Sequence, residues 1–85
     1  MPDITVYTTE ACSFCTRAKA LLDARGFAYE EINLARDPDG RAELARRTGM
    51  LSFPQILIGD DVVGGFMELV AADRSGRLRE LQSAA

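Results

Sequence analysis

Residues 11–22, ACSFCTRAKALL, hold both cysteines of this 85-residue chain, Cys12 and Cys15, at the head of a segment with helical spacing. Two thiols so placed are a structural staple, half of a metal site, or a reactive pair. A staple is disfavoured because a disulfide stabilises mainly by closing a long loop in the unfolded chain, and this loop is short. A metal site is disfavoured by composition. The chain has no histidine, which removes mixed Cys/His zinc sets and any Cys–His nucleophile pair. A zinc site of cysteines alone needs four thiolates, so two chains would have to share the ion. The reactive pair is therefore the favoured reading. A thiolate is the nucleophile in disulfide exchange, and a thiol at a helix start meets unpaired N–H groups and the positive end of the helix dipole. Both favour the anion. Cys12 is then the attacking sulfur, and Cys15, one turn on along the same face, the resolving one.

The flanking segments read as a mixed α/β chain. Asp3–Tyr7 is β-branched and aromatic, a strand with Ile4 and Val6 on one side. The helix that follows runs to about Arg25, with Phe14, Ala18, Leu21 and Leu22 at helical spacing and Gly26 as its stop. Phe27–Leu34 alternates as a second strand. Asp37 and Pro38 are an N-cap and a first helical residue, opening a helix that runs to Thr48 and ends at Gly49. Gln55–Ile58 is a strand entered through Pro54, Gly59–Asp61 a turn, and Val62–Val63 the return of a hairpin. A helix from about Phe66 to Ala72 follows, then a short one over Ser75–Gln82. Helices between the early strands imply one small mixed sheet with helices on both faces, and no linker divides residues 1–85.

Charge and hydropathy narrow the function. Ten basic against thirteen acidic residues give a net charge of −3, and the basic ones, arginines but for Lys19, are scattered. A nucleic-acid surface would need them clustered. No apolar run approaches a membrane span, and the start, MPDITVY, has no basic segment leading into an apolar one. The expected setting is soluble and cytoplasmic.

C-x-x-C beside a βαβ pattern is a thioredoxin-like signature. VYTTEACSFCTRAKALL, followed by SFPQILIGDDVVGG, resembles the glutaredoxins over nearly the whole chain. Dithiol members carry C-P-Y/F-C, T-V-P and G-G-x-D/S/T-D. Here these read Cys12–Ser13–Phe14–Cys15, Ser52–Phe53–Pro54 and Gly64–Gly65–Phe66–Met67–Glu68. The resemblance implies a thioredoxin-like fold with four strands. The activity it implies is a glutathione-dependent thiol–disulfide oxidoreductase, a monomer acting on protein disulfides and protein–glutathione mixed disulfides. It makes Pro54 a cis proline facing the cysteines, with the Phe53 backbone pairing with glutathione as an added strand and Ser52 beside it. Phe14 walls the groove, or else packs in the core. Gly65, Phe66 and Met67 offer N–H groups to the γ-glutamyl carboxylate, and Arg41 meets the glycyl carboxylate, or else is a solvated helix-face arginine.

Three positions depart from the family pattern. Ser13 replaces the motif proline, adding an N–H and a hydroxyl beside the sulfur, or serving only as a helix-start serine. Thr9 stands where many members have lysine. Met67 stands where they have Asp, Ser or Thr, so that Glu68 compensates or Met67 fills a gap or meets a partner. Two alternatives follow. One is a glutaredoxin-like donor recharged by thioredoxin reductase. The other is a dimer holding a [2Fe–2S] cluster through Cys12 of each chain and two glutathiones. Otherwise no metal is expected.

Overall fold

The computed structural model describes residues 3–84. Its elements are β1 (Ile4–Thr8), α1 (Ser13–Ala24), β2 (Tyr29–Asn33), α2 (Pro38–Thr48), β3 (Gln55–Ile58), β4 (Asp61–Gly64), α3 (Phe66–Ser75) and α4 (Arg77–Ala84). The four strands form one sheet in the order β2-β1-β3-β4. β1 pairs parallel with β2, through the α1 crossover, and antiparallel with β3, which pairs antiparallel with β4. This is the mixed, helix-flanked sheet that the resemblance implies.

Strand alternation divides the core between the two faces of the sheet. Ile4, Val6, Ile56 and Ile58 point to one side and pack with Ala18 and Leu22 of α1, Leu69 and Ala72 of α3, and Leu78 of α4. Leu57, one residue out of phase with its neighbours on β3, points to the other side and meets Leu44 of α2 and Leu34, just past the end of β2. Central strand β3 is consequently buried along its whole length.

Capping chemistry sets the helix ends. The Asp37 side chain accepts the Gly40 N–H at 2.9 Å, Pro38 opens α2, and Gly49 closes it in the left-handed conformation (φ 75°). Several boundaries differ from the sequence expectation: β1 and α4 each sit one or two residues later in the chain, and three other differences have a structural cause. Phe27 lies outside β2: its N–H donates to the Leu22 carbonyl at 3.0 Å, tying it to the end of α1 while its ring enters the core. β4 begins at Asp61, which pairs with Ile58, so the turn is shorter than expected. α3 continues to Ser75 because nothing stops it until Gly76, whose φ of 81° turns the chain into α4.

This arrangement gathers several segments at one end of the two central strands. The carboxyl end of β1, the amino ends of α1 and α3, and the entry to β3 all meet there.

Candidate active site around the cysteine pair

β1 ends at Thr8, and the chain turns through Ala11, which sits in the left-handed region (φ 51°). A non-glycine residue in that conformation carries strain, and here it aims Cys12 into the N-cap position of α1. The two cysteines are joined as a disulfide, with their Cα atoms 5.2 Å apart. The Cys15 N–H donates to the Cys12 Sγ at 3.1 Å. Cys12 thus occupies the place of a capping side chain, with its sulfur as the acceptor. The two sulfurs differ in access. Cys12 is half-buried, whereas Cys15 is 3% exposed. An incoming reagent meets Cys12 first.

Phe14, which stands between the two cysteines in the chain, opens onto a recess of about 160 Å³ that it lines with Ser52, Phe53, Pro54, Gly65, Phe66, Met67 and Glu68. The structure therefore brings together every expected groove residue except Arg41. Phe14 does not join the core. It is 48% exposed and stacks against Phe66 with ring centroids 5.7 Å apart, and Arg17 lies over its ring at 5.3 Å. The Phe53–Pro54 bond is cis, and Pro54 is buried. Met67 is exposed rather than filling a gap. Glu68 serves as a cap: its Oε1 accepts the Gly65 N–H at 2.9 Å at the start of α3. A side chain at Gly64 would collide with Glu68, and its φ of 122° suits only glycine.

Arg41 lines a neighbouring cavity of about 190 Å³ with Met50 and Leu51, and Phe53 is common to this cavity and the groove. One guanidinium nitrogen of Arg41 donates to the carbonyls of Leu34 and Ala35 at 2.6 and 2.9 Å. The arginine thereby ties α2 to the end of β2.

Sequence reasoning missed a second opening. On the opposite flank of the cysteines a polar cavity of about 470 Å³ is lined by Thr9, Ala11, Cys12, Cys15, Lys19 and Glu31, among others. Thr9 faces this cavity rather than the groove. Glu31 accepts the Thr8 hydroxyl at 2.8 Å and two contacts from Lys19 at 3.1 and 3.2 Å. The Thr8 hydroxyl, opposed by burial and assisted by Lys19, holds the Glu31 carboxyl below its ordinary value. Lys19 was legible as a cation four residues after Cys15, on the same helical face. Glu31 was not, because only the parallel register of β1 and β2 brings it there.

A family model described as Glutaredoxin matches residues 4–63. A glutaredoxin of Pseudomonas aeruginosa is 46% identical over 84 residues, covering 99% of this chain and 100% of that protein. Glutaredoxin 3 of Escherichia coli is 37% identical over 81 residues, covering 95% and 98%. A crystal structure of a buckwheat glutaredoxin–glutathione complex superposes with a TM-score of 0.87 at 29% identity, over 96% of this chain and 77% of that one. The solution structure of a Brucella melitensis glutaredoxin gives 0.83 at 43% identity, over 96% and 89%.

Proposed function

This chain belongs to the glutaredoxin family of thiol–disulfide oxidoreductases, and on that premise we propose that it is a glutathione-dependent reductase of protein disulfides and protein–glutathione mixed disulfides. The observation that carries the reading is the pairing of a half-buried sulfur, capped by a helix N–H, with a buried one beside an aromatic-walled groove.

In the monothiol route the Cys12 thiolate attacks the glutathione sulfur of a mixed disulfide. The protein thiolate leaves with the electron pair of the broken S–S bond and takes a proton from solvent. A second glutathione thiolate then attacks the glutathione bound to Cys12, producing glutathione disulfide and freeing Cys12. In the dithiol route Cys12 attacks a protein disulfide, and Cys15 displaces the remaining protein thiolate to close the Cys12–Cys15 bond. Two glutathiones reopen it.

The groove supports glutathione through main-chain groups. The Phe53 backbone would pair with the cysteinyl part of the tripeptide, as an added strand does. The Phe14 and Phe66 rings would wall it, with Ser52 and Pro54 also lining it. At the start of α3 the Gly65 N–H is already taken by Glu68, which leaves the N–H groups of Phe66 and Met67 for the γ-glutamyl carboxylate. Arg41 would reach the glycyl carboxylate with the nitrogens it does not spend on Leu34 and Ala35.

A second reading rests on the absence of any Lys or Arg from the residues lining the groove itself. In that reading the same cysteine pair is recharged by thioredoxin reductase.

Turnover of a glutathione mixed disulfide, coupled to glutathione and its reductase, tests the choice. Activity is expected in the wild type and in Cys15→Ser, and is expected to fall to background in Cys12→Ser. A wild type silent with glutathione but turned over by thioredoxin reductase would establish the second reading instead.

A further inference from the structure

The polar cavity opposite the groove plays no part in the glutathione reading, yet it brings the buried Cys15 together with an ion pair. Resolution requires Cys15 as a thiolate. Its sulfur is nearly sealed from solvent, and burial penalises the charged form of a thiol. The charged side chains around it are few. Lys19 comes from α1, Glu31 from β2 and Glu10 from the β1–α1 connection, all lining the cavity. On the groove side Arg17 lies over the outer Phe14 ring, and Glu68 is held at the α3 cap. Of the two cations, only Lys19 lines the same cavity as Cys15. It stands four residues further on, directly below Cys15 on one helical face.

A lysine ammonium on a flexible stem is ordinarily a poorly placed charge. This one is held in place. Both Glu31 oxygens lie 3.1 and 3.2 Å from its Nζ, and Glu31 is fixed in turn by the hydroxyl of Thr8, itself 1% exposed. The anchor joins α1 to β2 across the cavity.

We propose that Lys19 is a positioning residue for the resolving step, its ammonium held beside the cavity by Glu31 and Thr8 so that it stabilises the Cys15 thiolate. The proposal rests on the reading of Cys15 as the resolving sulfur. The Cys15 proton passes to solvent through the cavity. The thiolate then attacks the Cys12 Sγ of a Cys12–substrate mixed disulfide. The Cys12–Cys15 bond forms, the bond from Cys12 to the substrate sulfur breaks, and the substrate thiolate departs with that electron pair. Cys12 and Cys15 end oxidised and the substrate disulfide reduced. In the return direction glutathione attacks Cys12, and the same cation steadies Cys15 as the leaving thiolate.

The chain has only two cysteines, so Cys12→Ser leaves Cys15 as the single thiol. Its ionisation can then be followed by thiolate absorbance and by the pH dependence of iodoacetamide alkylation. In this background Lys19→Met is expected to raise the Cys15 pKa by about one unit, a tenfold smaller thiolate fraction at neutral pH. Lys19→Arg, which keeps the charge, is expected to stay within a few tenths of the parent. An unmoved titration in Lys19→Met overturns the proposal. So does a Lys19→Arg shift as large as that of Lys19→Met, which would trace the effect to packing. The titration uses no glutathione. A shifted pKa alongside silent glutathione turnover would therefore sink the glutathione reading and leave the role of Lys19 standing.

Discussion

The two recesses that flank the cysteine pair are built by opposite means. The groove is apolar and aromatic, assembled from the start of α1, the cis-proline entry to β3 and the start of α3. The opposite cavity is polar, walled by the β1–α1 connection, α1 and β2, with a carboxylate and an ammonium locked together inside it. The first presents flat rings and free N–H groups, which suit an extended peptide-like partner. The second offers a fixed ion pair in a polar lining. On the readings proposed above, the difference gives one pair of sulfurs a side for recognition and a side for ionisation, with the helix N-terminus between them.

The largest separation of the two sides is expected from Phe66→Ala. Losing the Phe14–Phe66 stack and its share of the groove wall should lower kcat/KM for a glutathione mixed disulfide about tenfold, mostly through KM, since such aromatic pairs contribute about 0.5–1.5 kcal/mol beyond their area. The Cys15 titration in the Cys12→Ser background should be unaffected by that substitution. An equal loss in both assays would mean that the recesses are not independent.

A smaller effect is expected at the anchor of the polar side. The Glu31 carboxyl is held below its unfolded value, so its contribution to stability is present above about pH 4.5 and is lost as pH falls through the lower folded value. Thr8→Val removes the first cause of that shift. The variant should be less stable by about 1 kcal/mol at neutral pH, after allowing for the partial exposure of the carboxylate. The difference should shrink as pH falls below 4 in urea unfolding followed from pH 7 to pH 3. A gap that is constant with pH would assign the loss to packing at Thr8 instead.

The smallest effect concerns the turn that holds the two sides apart. The left-handed Ala11 should cost about 1–2 kcal/mol in strain, while glycine there would lose about 0.5–1 kcal/mol in backbone entropy. Ala11→Gly is therefore expected to stabilise the fold by roughly 0.5 kcal/mol by the same two estimates. A destabilised variant would show that the strain is relieved by contacts of the Ala11 methyl.

Legibility in the sequence followed the range of the interactions. Asp37, Pro38 and Gly49 mark the ends of α2 because capping is decided within a few residues, and the structure has them in those roles. Ile4 and Val6 read as one face of a strand and are fully buried together. Phe14 and Phe27 show where the reading stops. Both are aromatic residues near the end of an element, and periodicity cannot say which turns inward. Phe27 enters the core because its N–H follows the end of α1, while Phe14 is drawn out onto Phe66, a residue far along the chain. Arg41 reads as a free cation early in a helix, and only the fold supplies the two carbonyls that engage it.

The sequence by itself determined the reactive pair and its polarity. A cysteine just ahead of a helix, with a second one turn later, sets which sulfur receives the helix N–H groups, and that is local geometry. Tertiary structure alone decided what stands on either side of the pair. The facing rings of Phe14 and Phe66, the approach of Pro54, and the Thr8–Glu31–Lys19 chain each join residues from separate elements. Their meeting depends on strand register and on which sheet face a helix covers, and those are settled by burying the hydrocarbon of the whole sheet at once rather than by any short stretch of residues.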